Sequence, residues 1–256
     1  MLNSTIQVAI AAALLTPSAF AGSVLLEEPQ MPELDSPWSF EFTPYLWAAN
    51  IDGTVGVGGI TSSVDVGFDD ILDNLDMAFA AHFGVRYNRV GMFVDFTYVE
   101  ISPSFETPGP LFSRSDVRLK TSSLDLKGSY RLYETDRVWL DLLAGARYYD
   151  QDITIEQQPG LAAGRRASGG EGWWDAVAGF RGQFSITDKW FLTYLADVGG
   201  GSSDLTWQAL GGIGYRFNER LQATFVYRYM SYDYSSDNFI YDASTQGIGL
   251  GLGIKW

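Results

Sequence analysis

Residues Gly247 to Trp256 read GIGLGLGIKW. Ile248, Leu250, Leu252, Ile254 and Trp256 share one parity, while Gly247, Gly249, Gly251, Gly253 and Lys255 share the other. Successive side chains of a β-strand point to opposite faces, so this segment has one apolar surface and one surface with almost no side chains. A strand from a soluble sandwich places polar groups opposite its core, and glycine is not a polar group.

The same alternation continues upstream. Leu221, Ala223, Phe225, Tyr227 and Tyr229 alternate with Gln222, Thr224, Val226, Arg228 and Met230. Trp207 to Phe217, Trp174 to Phe184 and Val138 to Arg147 behave alike, and in each pair the ionisable groups fall on the second set. Segments such as Arg137 to Gln157 and Leu221 to Tyr234 exceed the roughly 5 to 6 residues of soluble strands. They fit tilted membrane spans of about 9 to 11 residues with extensions beyond the bilayer. No run of some 18 apolar residues follows the N-terminal segment, so strands rather than helices must make any crossing.

Short links at Asn88 to Gly91, Glu134 to Arg137, Thr187 to Lys189 and Asn218 to Arg220 alternate with longer ones at Phe105 to Ser113, Glu156 to Gly172 and Ser235 to Asp242. Short periplasmic turns and long outer loops are the habit of transmembrane barrels. The expectation is therefore an all-β, up-and-down antiparallel transmembrane barrel with both termini periplasmic. Trp38 to Ala49 and the segments from Met77 to Trp256 give ten strands. Residues 51–76, with a glycine-rich hairpin and a short helix at Asp69 to Leu75 that Asp69 would N-cap, form an outer loop or a plug. If the hairpin arms span the membrane the count becomes twelve.

The N-terminus carries an export signature: the apolar run Val8 to Leu15, then Pro17, then Ala19-Phe20-Ala21. Residues 1–21 read as a signal peptide, although the n-region lacks Lys and Arg. Residues 22–37 contain Pro29, Pro32 and Pro37 among acids and read as a periplasmic tail leading to a barrel over 38–256.

Composition narrows the function. Lys+Arg 17 against Asp+Glu 31 gives a net charge of -14, which opposes nucleic-acid binding. There is no cysteine, hence no disulfide, thiolate metal site or cysteine nucleophile. Asp69, Asp70, Asp73 and Asp76 fit a helix N-terminus better than a calcium loop, because the EF-hand spacing is missing. VGGGSSD (Val198 to Asp204) lacks the lysine and following helix of a phosphate loop. No cofactor is expected.

Placing the polar parity of each strand inward puts Glu41, Asp95, Asp125, Asp141, Asp175 and Asp197 in the lumen. Arg86, Lys127, Arg131, Arg147, Arg181, Arg216, Arg228 and Lys255 join them, with Trp47 and Trp139 as candidates for a constriction. Unpaired buried charges are costly, so a salt-bridged interior is the expectation, with a narrow or occluded passage for small solutes. Trp38, Tyr87, Tyr133, Trp174, Trp190, Phe217, Tyr229 and Trp256 suit interfacial girdles against the outer-membrane lipid.

The terminal aromatic after alternating apolar residues resembles the C-terminal signal read by the barrel assembly machinery of Gram-negative bacteria, with Trp256 as its last residue. Beyond that, WSFEFTPYLWAANIDGTVGVGG (Trp38 to Gly59), FDDILDNLD (Phe68 to Asp76), LDLLAGARYY (Leu140 to Tyr149), WWDAVAGFRG (Trp173 to Gly182) and ADVGGGSSDLTWQALGGIGYRF (Ala196 to Phe217) resemble a family of small proteobacterial outer-membrane barrel proteins, porin-like and functionally uncharacterised. The resemblance spans nearly all of the chain after the signal and implies a porin-like or structural envelope role without catalytic residues. His82, the one histidine, shares the inward face with Arg86 as a further lumen candidate and is the sole foothold for a lipid-modifying, acyl-removing enzyme. No serine stands in a recognisable nucleophile setting beside it. Adhesion or ligand capture by acidic outer loops is the other alternative; solute and oligomeric state stay open.

Overall fold

A computed structural model describes residues 37–57, 60–102, 104–106 and 112–256. The expected signal peptide and all of the expected tail except Pro37 lie outside these residues. Its elements, in chain order, are β1 (Trp38–Val57), β2 (Ile60–Val66), α1 (Phe68–Asp73), β3 (Leu75–Tyr87), β4 (Val90–Ile101), β5 (Ser104–Glu106) and β6 (Phe112–Glu134). They continue with β7 (Val138–Pro159), β8 (Arg165–Ser185), β9 (Trp190–Gly201), β10 (Leu205–Arg216), β11 (Leu221–Ser235) and β12 (Phe239–Lys255).

The sheet runs in the order β12-β11-β10-β9-β8-β7-β6-β4-β3-β1, and β1 then pairs with β12. Ten antiparallel strands thus close on themselves into a ring. The closing register sets Glu41 against Lys255 at one end and Val57 against Phe239 at the other. β2 and β5 stand outside this ring, on the far halves of β1 and β6. The ring is the expected ten-strand barrel rather than a twelve-strand one.

Burial is inverted relative to a soluble protein. Leu46, Met92, Phe180, Phe225, Leu250 and Ile254 are exposed on the outer wall, whereas Asp141, Arg147, Lys127 and Gln151 are buried. Water does not favour such an arrangement; hydrocarbon around an apolar band with a polar interior does. Of the expected girdle residues, Trp38, Tyr87, Tyr133, Trp174, Trp190, Phe217 and Trp256 lie on the exposed outer surface, while Tyr229 is half-buried and stacked on Trp207.

The glycine row of β12 is explained by crowding. A Cβ on Gly249 would stand 2.8 Å from Val226, and one on Gly253 2.9 Å from Gln222. Side chains of β11 and β1 lean across β12 and occupy the space that its own side chains would need. Even so, Gly249 and Gly251 line a cavity of the bore.

Three expectations change in detail. The long links at Glu156 to Gly172 and Ser235 to Asp242 are mostly strand: β7 runs to Pro159, β8 starts at Arg165, and β12 starts at Phe239. Their cross-strand pairing continues past the wall, with Glu156 opposite Arg166 and Ile153 turned into a buried cluster. Within residues 51–76, β1 extends through Val57 and pairs with both β12 and β2, so the segment lengthens the wall rather than plugging the bore. The helix lies at Phe68–Asp73 instead of Asp69 to Leu75. Its first turn is closed by the Ile71 amide donating to Gly67 O at 3.0 Å, so Asp69 is inside the helix rather than its cap. The short turns hold: β3 and β4 are joined through Asn88 at φ 52°, a left-handed conformation that asparagine tolerates.

Candidate functional site

The bore is filled in three layers. Nearest the short-turn end, Asp141 of β7 gathers three guanidinium groups. Arg131 Nε lies 2.5 Å and Arg181 Nε 3.2 Å from its carboxylate, and Arg86 completes the set. The Arg131 guanidinium lies 4.7 Å from the Trp139 ring, and that of Arg181 lies 4.4 Å from the Phe93 ring. Such stacking supplies a face to cations whose edges are taken by the carboxylate. Arg216 donates to Gln183 Oε1 at 2.6 Å and stacks 4.6 Å from Phe191, whose own bulk is accommodated because position 214 is glycine. Glu41 accepts from Gln222 Nε2 at 3.2 Å. Lys255 lines the same space.

The middle layer is a balanced cluster. Arg147 donates to Asp125 at 2.8 Å and to Asp197 at 2.8 Å. Lys127 stands 3.0 Å from Asp125 and 2.6 Å from Asp197. Gln208 donates to both carboxylates and accepts from Arg228 Nε at 3.0 Å. Arg228 then reaches Asp95 at 3.2 Å, and Tyr45 donates to Asp95 at 2.9 Å. Asp95, Asp125 and Asp197 thus face Lys127, Arg147 and Arg228, with residues of β4, β6, β7, β9, β10 and β11 meeting across the bore. Full mutual hydrogen bonding is what makes burial of so many charges tolerable.

The third layer is aromatic. Tyr149 and Tyr241 share a 2.8 Å hydroxyl contact, and Trp173 stacks on Tyr234 with centroids 4.0 Å apart at 5°. Tyr232, Met230 and Phe239 complete this buried cluster. Sequence parity assigned no lumen role to these residues, since an aromatic side chain suits a lipid girdle and a core equally. The signal that finds them is position: each lies inward by parity on a strand extension beyond the wall.

The seventeen sequence-derived lumen candidates therefore fall as follows. Glu41, Arg86, Arg131, Trp139, Asp141, Arg181, Arg216 and Lys255 lie in the first layer, and Asp95, Asp125, Lys127, Arg147, Asp197 and Arg228 in the second. Trp47 stands beneath the aromatic layer with Arg228 5.0 Å from its ring. His82 faces Asp95 at 3.6 Å and the Phe93 ring at 5.2 Å, in the middle of the wall. Asp175 stands apart from the network: it accepts from the Ser203 amide at 2.8 Å and hydroxyl at 2.7 Å, and so clamps the β9–β10 turn. Between the first two layers lies a cavity of about 190 Å³ lined by Glu41, His82, Trp139, Arg181 and Lys255 among others. Its charged lining is Glu41, Asp95 and Asp125 against Lys127, Arg181, Arg228 and Lys255, a small positive balance. Among the described residues no cluster of three or more metal-ligating side chains occurs.

No protein-family model matches the sequence, and no curated protein matches it either. Solved structures do. The outer membrane protease OmpT of Escherichia coli aligns with a TM-score of 0.52 at 9% identity, over 86% of this chain and 97% of that one. The translocator domain of the autotransporter NalP from Neisseria meningitidis aligns at 0.47 and 15% identity, over 88% and 90%. The transport unit of the autotransporter AIDA-I from Escherichia coli aligns at 0.45 and 10% identity, over 88% and 92%. The fold is that of the bacterial outer-membrane β-barrels. Combined with an apolar outer band and a charged interior, it makes the chain an outer-membrane β-barrel protein.

Proposed function

We propose that the protein is a porin-like envelope barrel whose bore is closed at rest, with its short-turn end and both termini in the periplasm. The observation that carries this reading is the middle layer: Asp125, Lys127, Arg147, Asp197, Gln208 and Arg228 hydrogen-bond across the whole lumen, beneath a second, aromatic barrier. A barrel of this strand number is only slightly wider than the eight-strand kind that side chains fill. Its periplasmic vestibule is cationic and admits water and small anions, while the layers above stop them. The outward indole of Trp256, adjoining Phe40 with centroids 5.8 Å apart, presents the last strand to the barrel assembly machinery.

The test is planar-bilayer recording of the purified, folded protein. Conductance at lipid background is expected; stepwise openings in the unmodified protein would overturn the closed-bore reading. The same geometry favours a non-enzymatic role, because Asp95 engages His82 within the structural network instead of at the outer rim. Replacing His82 with Ala should leave the mass of lipid A unchanged in cells, and an altered acyl pattern would reinstate the enzyme.

A further inference from the structure

The barrel wall is incomplete along one seam. β1 and β3 pair from Trp38↔Tyr87 to Pro44↔Ala81, and the next partner on that edge of β1 is β2, from Ile51↔Val66 onward. Among the described residues, 45–50 of β1 and 75–80 of β3 have no ladder between them. The ladder to β3 stops after Pro44↔Ala81, and beyond that point β3 continues paired with β4 alone. α1 sits over the top of the divergence, with the Phe68 amide donating to Asn50 Oδ1 at 2.7 Å and Ile71 buried beneath.

A cavity of about 370 Å³ occupies the seam. That is within the roughly 300 to 1,000 Å³ of sites that take small ligands. It is lined from both sides of the wall. Leu46, Phe79 and Leu250 are exposed outer residues, whereas Trp47, Tyr149 and Met230 belong to the lumen. One apolar space therefore runs from the lipid-facing surface into the aromatic layer. At its inner end the Trp47 indole N–H is buried and has no hydrogen-bond partner among the described residues. A donor left unmatched in an apolar site costs free energy that an incoming oxygen acceptor would recover.

We propose that this seam is a lateral binding site for a single-chain lipid, its alkyl chain entering between β1 and β3 from the bilayer and an oxygen at its head accepting from Trp47 Nε1. The outer opening at Leu46, 73% exposed, selects a ligand already dissolved in hydrocarbon over one arriving from water. The site goes beyond the closed-bore reading and is independent of it, since a sealed axial passage and a lateral pocket can each exist without the other.

The test uses the full-length mature barrel in phospholipid nanodiscs with a palmitic acid analogue carrying a photoactivatable diazirine on its chain. Labelling should concentrate on residues 45–50 and 75–80, saturate, and be competed by unlabelled palmitic acid. Ala49→Phe and, from the opposite wall, Ser123→Phe should each reduce labelling at least about tenfold while migrating as folded barrels on unheated gels; two filling variants guard against one failing to fold. Trp47→Phe should weaken labelling by the acid several-fold and leave that by a head-less diazirine alkane unchanged. Labelling spread evenly around the girdle, or labelling of the seam unaffected in either folded filling variant, would overturn the site.

Discussion

Asp141 and Arg147 are among the most deeply buried residues in the protein and are both charged, so the stability of the barrel at this point depends on matched partners rather than on apolar contact. Arg147 neutralises Asp125 and Asp197 together and also donates to Thr206 at 3.0 Å. Replacing it with Met keeps the volume and strands two carboxylates that face only Lys127, Gln208 and Arg228. Removing one member of a buried ion pair costs about 3 to 5 kcal/mol, so Arg147→Met should lower the unfolding free energy of the detergent-folded protein, read from urea titration, by an amount in that range. A change below about 1 kcal/mol would mean that water enters the layer freely. These charged positions are legible in the sequence because parity alone sorts inward from outward on every strand. What parity could not assign is what each inward group does. Asp175 has the same parity as Asp197 in a similar setting, yet one clamps a turn and the other bridges the lumen, because the β9–β10 turn folds back over only the first.

At the scale of the strand, the glycines of the wall divide the consequences of substitution. A Cβ on Gly247 would fall 2.0 Å from the Ala48 carbonyl oxygen, whereas one on Gly211 of β10 meets nothing within 4 Å. Gly247→Val should therefore prevent closure between β1 and β12 and leave no heat-modifiable folded band, while Gly211→Ala should fold as the parent does. At the rim away from the short turns, Asp233 lies directly across from Asp242. Burial first, and then the charges of Asp242 and Asp204, raise the Asp233 carboxyl above its ordinary value. A raised folded-state value means the proton is held more tightly when folded, so this contribution is present in acid and is lost as pH rises through the carboxylate range. Asp242→Asn should stabilise the β11–β12 rim at neutral pH and have little effect in acid, as read from thermal melts at the two pH values. The extent of these rims was the least legible part of the fold. ITIEQQ (Ile153 to Gln158) alternates as a strand does, but the Gly and Ser residues around it carry the composition of a loop, and only pairing across β7 and β8 resolves the conflict.

For the molecule as a whole, the ten-strand ring, its polarity and its closure follow from the period of two together with the apolar-out pattern, whereas the state of the bore follows from how three layers stack along it. Those layers act in series, and a passage in series conducts only as well as its tightest element. The aromatic layer of Tyr149, Trp173, Tyr232 and Tyr241 packs through side chains alone, while the layer beneath it is crosslinked by hydrogen bonds from six strands. The charged layer is the tighter of the two, because opening it requires several buried ions to lose partners at once, whereas opening the other displaces rings from apolar contact. Trp173→Ala combined with Tyr241→Ala should therefore leave conductance at lipid background in planar bilayers, even though a dye that reports apolar cavities binds the widened outer chamber. Openings in that double variant would locate the seal in the aromatic layer and reduce the ion network to a scaffold that water can already cross.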